Sequence, residues 1–282
     1  MSRYTTIQLD GELTDPASAS IPISDVGFTR GFGVFEVMRA FDGTCFRLDA
    51  HLERLARSAA MLGLDLPSKE DLTSWCDRAA AGMNECVVRV FITGGDDPFD
   101  GTVRAIVTSE PPIVLGPELR LRPQFAPWHS DGAEWELLRG KTLSYGNNYG
   151  AIRQAKLHGF DDAVLIGRSG RILEGPTFVV GWVVVEDGRA IYETPALSLG
   201  ILDSITRELA FDSAEDAGLE IREVELGLER LDDATEFFAL STLRDTLSVT
   251  AVGDRTFSAG PHTLALRAAM SERTARELAS IA

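Results

Sequence analysis

The sequence predicts a two-domain protein of the mixed α/β class. Apolar residues alternate along the chain between helical spacing and short β-branched runs, and they make up 44% of its 282 residues, as in a globular protein. The segment 111–117 holds three prolines and a glycine, which neither a helix nor a strand can continue. We therefore predict a small N-terminal α/β domain over 1–115 and a larger domain over 116–282.

The N-terminal domain is predicted to begin with a strand, a glycine-rich turn and a second strand. Apolar residues at helical spacing then predict two helices, over 52–62 and 72–83. Ser68, followed three residues later by Asp71, resembles a capping box, so the second helix is expected to begin there. Runs rich in β-branched residues predict strands over 86–93 and 102–109.

The C-terminal domain is predicted to alternate strands with helices. Ser204 is a suitable N-cap, and Gly218 a suitable stop, for a helix that ends at about residue 217. Asp187 and Gly188 supply the positive φ that a tight hairpin turn requires. The predicted strands are 118–125, 162–166, 177–185, 190–193, 220–224, 235–240 and 247–252, with further helices over 149–158 and from Pro261 onward.

Charge and hydropathy exclude several classes of partner. The formal net charge of −16 at pH 7 repels the phosphates of nucleic acids and anionic lipids, so neither is expected as a partner. No apolar run approaches the roughly 20 residues of a membrane span. The first residues do not resemble the apolar stretch of a signal peptide, which predicts a cytoplasmic protein.

Patterns of metal ligands and disulfides are not recognisable in this sequence. Cys45, Cys76 and Cys86 lack the paired spacing of zinc ligands and are expected to be reduced thiols. The four histidines do not cluster along the chain either. We therefore predict no metal site.

Lys141 is the most informative single residue, because the chain has only three lysines. It lies on a predicted short turn, and Glu174 follows at a predicted strand end, 33 residues further along. This pair suits pyridoxal 5′-phosphate (PLP), since a lysine forms the Schiff base and a carboxylate keeps the pyridine nitrogen protonated. Composition alone favours a simpler alternative, a surface lysine near a glutamate of an edge strand.

Five motifs in order make the chain similar to a known family. They are the glycine-rich segment 25–36, the helix segment 48–55, Lys141 with Glu174-Gly175, the segment 200–207, and Ser241-Thr242. Each motif alone is weak, but together they cover nearly the whole chain with the family's spacing. The chain resembles the class IV aminotransferases of PLP fold type IV. This group includes branched-chain and D-amino-acid aminotransferases, R-selective amine transaminases and 4-amino-4-deoxychorismate lyases.

The resemblance implies a fold, a cofactor and a set of site residues. The larger domain would have a β-barrel-like core flanked by helices, and the cofactor would be PLP. Lys141 would be the catalytic amine, and Glu174 would pair with the pyridine nitrogen. The remaining cofactor contacts would be phosphate contacts from Arg54, from the amides of Ile205 and Thr206, and from the hydroxyl of Thr242. The resemblance also implies a homodimer in which a partner's loop completes the pocket.

Simpler structural roles are open for several of these residues. Arg54 lies off the apolar face of its helix and could be an ordinary surface residue. Gly31 and Gly33 could serve only a tight approach to a strand. Phe35 is more readily explained as a core residue than as a substrate contact. Thr206 could be an ordinary first-turn residue of its helix.

Three departures from the family pattern concern substrate recognition. Val179 stands where many members have Asn, and Gly94 follows Thr93 where many place an arginine. Arg30 and Phe32 replace the tyrosine and aspartate of other members. These differences place membership of the branched-chain or D-amino-acid subgroup in doubt. Arg30 and Arg244 are then candidates to bind a substrate carboxylate, with Phe35 as a further candidate contact.

The function predicted from the resemblance is that of a PLP-dependent aminotransferase. It would move an amino group between an amino acid or amine and a keto acid in a ping-pong reaction, with Lys141 shuttling the proton. The alternative on the same scaffold is a lyase that releases pyruvate and 4-aminobenzoate from aminodeoxychorismate. A third alternative is a binding protein that keeps the fold without catalysis. Substrate identity and stereochemistry stay open.

Overall fold

The protein is described by a computed structural model that covers residues 3–114, 116–129 and 136–281. The chain divides into two compact units, the first formed by Met1–Val114 with Gly140–Tyr145 and the second by Leu115–Arg139 with Gly146–Ala282. The division predicted from the sequence, into 1–115 and 116–282, places residues 140–145 in the larger C-terminal domain. Here this short segment, which carries Lys141, belongs to the first unit.

The first unit is an antiparallel sheet with helices. Its elements are β1 (Thr6–Leu9), β2 (Glu12–Thr14), α1 (Val26–Arg30), β3 (Gly33–Phe41), β4 (Thr44–Cys45), α2 (Leu48–Leu62), α3 (Lys69–Ala80), β5 (Glu85–Thr93) and β6 (Arg104–Glu110). The strand order is β2-β1-β6-β5-β3-β4. The predicted cap of α3 is confirmed, because Ser68 Oγ accepts a hydrogen bond from the Asp71 N–H at 3.0 Å.

The core of the first unit lies between its sheet and helices α2 and α3. Apolar side chains of β3 and β5, such as Met38 and Val88, are fully buried against Leu55 of α2 and Cys76 of α3. This packing explains the helical spacing seen in the sequence. The three cysteines are buried here and none forms a disulfide.

The second unit is built on a larger mixed sheet. Its elements are β7 (Glu118–Phe125), α4 (Gly146–Leu157), β8 (Asp162–Ile166), β9 (Val179–Glu186), β10 (Arg189–Pro195), α5 (Ile205–Ala214), β11 (Glu220–Val224), β12 (Ala234–Ser241), β13 (Asp245–Val252), β14 (Arg255–Thr256) and α6 (Pro261–Ile281). The strand order is β11-β10-β9-β12-β13-β7-β8, and β14 pairs with β13.

The segments that follow the two edge strands of this sheet, β8 and β11, bond to each other. Ile172, beyond β8, forms a bridge with Ile166 and donates its N–H to the carbonyl of Leu226 at 2.8 Å. Leu226 lies just beyond β11, at the opposite edge, where Gly227 bridges Arg171. The sheet thereby curls toward closure and gives the barrel-like core that the resemblance implies.

Local sequence signals account for most boundaries in the second unit. Asp187 and Gly188 both have positive φ, 49° and 76°, and form the predicted hairpin turn between β9 and β10. Helix α5 begins after Ser204 as predicted but ends at Ala214, and a turn then leads to Gly218. Of the helices in the described ranges, none combines the length and the apolar character that a bilayer crossing requires.

Candidate active site

The backbone of Lys141 is held by strand β3 and helix α2. The carbonyl of Lys141 accepts the Phe35 N–H at 3.0 Å, and the Leu143 N–H donates to the carbonyl of Gly33 at 2.8 Å. On the other side, the N–H of Lys141 donates to the hydroxyl of the buried Ser58 at 3.0 Å. The predicted short turn is therefore a segment paired with β3, and this pairing fixes where the lysine side chain starts.

The amine of Lys141 lies over an aromatic surface. Its Nζ is 4.5 Å from the ring centroid of Phe35 and 5.9 Å from that of Tyr145. The two rings meet edge to face, with centroids 5.2 Å apart. Phe35 is half-buried, packs against Tyr145 and forms part of the immediate surroundings of the amine.

The glycines before β3 have structural reasons for their positions. Gly31 ends helix α1 in the left-handed region, with φ of 67°. A Cβ atom on Gly33 would lie 2.4 Å from the carbonyl oxygen of Ile92, so a larger residue would push β3 away from β5. Arg30, the substrate candidate of this segment, is exposed at the end of α1 and donates to the carbonyl of Thr29 at 2.7 Å.

Arg54 is buried rather than on the surface. It is 5% exposed, and its Nε and Nη2 donate to the two carboxylate oxygens of Glu36 at 2.7 and 2.8 Å. The surface alternative for Arg54 is wrong because Glu36, itself fully buried on β3, supplies a partner for the charge inside the unit. Sequence spacing alone left a position on the solvent side of α2 open for Arg54.

His51, which is also buried, completes this cluster. Its Nδ1 lies 2.8 Å from Oε2 of Glu36. Burial lowers the pKa of His51, as do the charges of Arg54 and Lys141, while Glu36 opposes them. Burial alone would raise the pKa of Glu36, but the charges and hydrogen bonds of Arg54 and His51 hold it well below its usual range. The lowered pKa favours the neutral ring, and the carboxylate beside Nδ1 favours the tautomer that carries its proton there.

Glu174 belongs to the second unit, in an irregular segment beside β8 rather than at a strand end. Its carbonyl accepts the Leu165 N–H at 2.8 Å. Its carboxylate lies 3.1 Å from Nε2 of His129 and accepts the Leu202 N–H at 3.4 Å. A carboxylate has about four lone-pair positions, so it can accept a further hydrogen bond while it keeps these donors.

The beginning of helix α5 offers backbone N–H groups to an anion. Ser204 Oγ accepts the N–H of Arg207 at 3.3 Å, while the N–H groups of Ile205 and Thr206 lie in the first turn, where a helix has no carbonyl partners for them. The hydroxyl side chain of Thr206 is buried. Thr242 lies in the turn that follows β12.

Arg244, the other substrate candidate, already has a carboxylate partner. Its Nη2 donates to Oδ2 of Asp162 at 2.9 Å, and its guanidinium lies 4.8 Å from the ring centroid of Phe178. Burial raises the pKa of Asp162, although Arg244 acts in the opposite direction. A substrate carboxylate would therefore have to share Arg244 with Asp162.

Each unit by itself supplies donors that suit polar groups of PLP. The first unit supplies an amine, suited to an aldehyde, and an arginine, suited to a phosphate. The second supplies a carboxylate, suited to a protonated ring nitrogen, and a helix N-terminus, suited to a phosphate. Among the residues described, His51, Glu36, Ser58 and His129 are the neighbours that the sequence analysis missed as part of this chemistry.

Comparison with known proteins identifies the family. The family model described as amino-transferase class IV matches residues 33–252, which is more than half of the chain. This chain belongs to the class IV aminotransferases. The predicted PLP-dependent enzyme and its cofactor are thereby confirmed for this class IV aminotransferase, and family membership leaves the non-catalytic alternative without support.

Individual relatives carry both of the activities considered from the sequence. A putative branched-chain-amino-acid aminotransferase of Methanocaldococcus jannaschii is 30% identical over 260 residues, covering 88% of each chain. An aminodeoxychorismate lyase of Bacillus subtilis is 29% identical over 262 residues, covering 87% of this chain and 86% of the relative. The predicted aminotransferase activity is confirmed at the level of the family, and the lyase alternative has no better support.

Solved structures confirm the fold. A hypothetical aminotransferase from Mycobacterium tuberculosis, in its PLP-bound form, superposes with a TM-score of 0.85 at 24% identity. The match covers 95% of this class IV aminotransferase and 100% of the solved chain. The predicted α/β fold of type IV is therefore confirmed.

Proposed function

We propose that this class IV aminotransferase transfers an amino group between an amino acid or amine and a keto acid, with Lys141 as its catalytic amine. The observation that carries this proposal is the position of Lys141, whose backbone is bonded to β3 and Ser58 and whose Nζ lies 4.5 Å from the Phe35 ring centroid. PLP, when bound, supplies a reactive carbonyl and a ring that accepts electrons. The protein has to supply the amine, the proton transfers and the orientation.

Lys141 would act as the proton carrier of the reaction. Because its backbone is bonded on both sides, Lys141 would hold its amine in place to accept a proton from the substrate and to return it beside the cofactor. Glu174 would pair with the ring nitrogen, and its existing donors, His129 and the Leu202 N–H, would hold the carboxylate for this role.

The phosphate group of PLP would be held by an arginine, a helix and a hydroxyl. The N–H groups of Ile205 and Thr206 suit an anion because they lie in the first turn of α5. Thr242 would add a hydroxyl donor. Nε and Nη2 of Arg54 donate to Glu36, so its planar guanidinium is already oriented.

The substrate contacts and the assembly remain proposals of their own. Arg30 is exposed and Arg244 is bonded to Asp162, so of the three substrate candidates Phe35 has the most direct support, from its proximity to Lys141. We also propose a homodimer and a cytoplasmic location, the latter supported by three cysteines without disulfides. Light scattering after size-exclusion chromatography tests the dimer, and cell fractionation tests the location.

Absorbance spectroscopy of the purified protein with PLP tests the catalytic role of Lys141. We expect a yellow band that borohydride fixes covalently to the peptide containing Lys141, and a Lys141→Ala variant without the band. Lys156→Ala is the matched control, because Lys156 is an exposed lysine on α4 and should leave the band unchanged. A band that persists in Lys141→Ala would overturn the assignment.

The same preparation separates the transaminase from the lyase. D-Alanine, L-glutamate and (R)-1-phenylethylamine are added in turn, and a transaminase loses the yellow band with at least one of them. The lyase is the second candidate because one relative with 29% identity carries that name. Release of pyruvate and 4-aminobenzoate from aminodeoxychorismate, with a band that no amine bleaches, would favour the lyase.

A further inference from the structure

Two backbone hydrogen bonds hold the segment that places the side chain of His129 next to the carboxylate of Glu174. The N–H of Ala126 donates to the carbonyl of Ile166 at 2.9 Å, and the N–H of His129 donates in turn to the carbonyl of Ala126 at 3.0 Å. Glu174 is fixed to the same strand, β8, through the Leu165 N–H. His129 and Glu174 are 45 residues apart in sequence, but both are attached to the end of one strand.

The hydrogen bond between these residues has a defined direction. Nε2 of His129 lies 3.1 Å from Oε1 of Glu174, and it is the donor in the tautomer that carries its proton on Nε2, because carboxylate oxygens accept hydrogen bonds. The other oxygen, Oε2, accepts the Leu202 N–H at 3.4 Å. Two donors on different oxygens restrict rotation of the carboxylate. His129 is only 8% exposed, so water competes little for this contact.

We propose that His129 is a positioning residue that orients Glu174 toward the ring nitrogen of PLP. This inference rests on the proposed pairing of Glu174 with that nitrogen. His129 does not need to touch the cofactor, since it acts by fixing the carboxylate through a hydrogen bond. Its contribution therefore depends on the ring nitrogen being present in the ligand.

The test compares PLP with its deaza analogue, in which carbon replaces the ring nitrogen. Dissociation constants of both ligands are measured by absorbance titration of the cofactor-free protein. The quantity of interest is the dissociation constant of the deaza analogue divided by that of PLP. This ratio measures the preference for the ring nitrogen. We expect His129→Phe to reduce this preference about 10-fold, as loss of a hydrogen bond to a charged group would. His129→Gln, whose amide can donate, should retain part of it.

The matched control is His158→Phe. His158 is exposed at the end of α4, with Nδ1 2.8 Å from the carbonyl of Gln154, and the same substitution there should leave the ratio at the wild-type value. His129→Asn, which preserves polarity but is too short to reach Glu174, carries the test if His129→Phe does not fold. A fall in affinity for both ligands by the same factor would show a merely structural role and would overturn the proposal.

A Glu174→Gln variant separates this inference from the proposed function. If Glu174→Gln lowers the ratio and the His129 variants leave it at the wild-type value, the positioning role of His129 is wrong and the pairing of Glu174 stands. If Glu174→Gln also leaves the ratio unchanged, the pairing of Glu174 with the ring nitrogen is wrong, and the role of His129 is wrong with it.

Discussion

Two glutamates, one in each unit, are almost completely buried and bind arginine, yet their surroundings differ. Glu36 is fully buried, and its partners Arg54 and His51 are buried with it. Glu193 is 1% exposed, but its partners Arg222 and Arg230 are 40% and 20% exposed. The difference lies in what happens to the arginine when the carboxylate is lost. Near Glu36 the remaining charge stays away from water, whereas near Glu193 it can be hydrated.

The cluster of the second unit also has a second carboxylate. Arg222 and Arg230 each donate to Glu186 as well as to Glu193. Either arginine thus keeps a partner if one glutamate is removed. A buried ion pair without a second carboxylate contributes little net stability by itself, because the cost of removing both charges from water cancels much of their attraction. The buried cluster of Glu36, Arg54 and His51 is therefore better explained by a function of Arg54 than by a contribution to the stability of the first unit.

The largest predicted effect is that of Glu36→Gln. Without the carboxylate, Arg54 is left as a buried charge, and we expect the free energy of unfolding to fall by about 3–5 kcal/mol. Urea unfolding at pH 7 without PLP measures this change. Glu85→Gln is the control, since Glu85 binds Arg39 on the same sheet at a partly exposed position. A loss for Glu36→Gln no larger than that of the control would contradict the comparison.

Glu193→Gln is predicted to cost less, about 1–3 kcal/mol. The main loss is the hydrogen bond from Nε1 of the buried Trp182, 2.7 Å from Glu193, because both arginines keep Glu186 and reach water. Tryptophan fluorescence during urea unfolding would report both the stability and the surroundings of Trp182. If this variant is as unstable as Glu36→Gln, exposure of the arginine partners is not what separates the two clusters.

The pH dependence of stability sharpens the comparison further. Since the pKa of His51 is lowered in the folded state, the unfolded chain binds the proton more readily, and stability falls as pH drops below about 6.5. One such group contributes a slope of up to about 1.4 kcal/mol per pH unit. The lowered pKa of Glu36 adds a further loss that begins only below about pH 4.3.

His51→Asn should therefore flatten the dependence between pH 6.5 and 5. An asparagine amide can donate to Glu36 in place of Nδ1 but does not titrate. Urea midpoints at half-unit steps of pH measure the slope, with the exposed His158→Asn as the control that should match the wild type. An unchanged slope in His51→Asn would mean that His51 already carries its proton in the folded state.

The smallest effect is expected for an ion pair outside both clusters. Arg189 and Glu220 join β10 to β11 at 3.1 Å, and both side chains are more than half exposed. Arg189→Gln should change the free energy of unfolding by no more than about 0.5 kcal/mol, because water replaces the lost contact. A thermal unfolding shift equivalent to more than twice that value would show that exposure is a poor guide to these pairs.

Local patterns predicted most of the fold. The cap at Ser68, the hairpin turn at Asp187 and the strand over Asp162–Ile166 depend on residues within a few positions of each other, so the sequence contains the whole signal. The same holds for the motifs around Lys141 and Glu174. Their roles stay predictions, but their family is confirmed.

Sequence periodicity could not predict the contacts between segments that are distant in the chain. Glu36 and Arg54 are 18 residues apart and lie on a strand and a helix, so the pair exists only once α2 packs on the sheet. A glutamate within the apolar run of β3 was the one available signal for a buried partner. His129 and Glu174 meet because both follow strands that become neighbours, β7 and β8, which neither local sequence reveals.

The pairing of Lys141 with β3 has a consequence for synthesis on the ribosome. The carbonyl of Gly33 and the N–H of Phe35 receive their partners from residues 143 and 141, after the segment Leu115–Arg139 of the second unit has been translated. Domains usually fold in order of emergence. In this protein, the first sheet is completed only after residues 141 and 143 have been synthesised. Until then, the carbonyl of Gly33 and the N–H of Phe35 lack these hydrogen-bond partners.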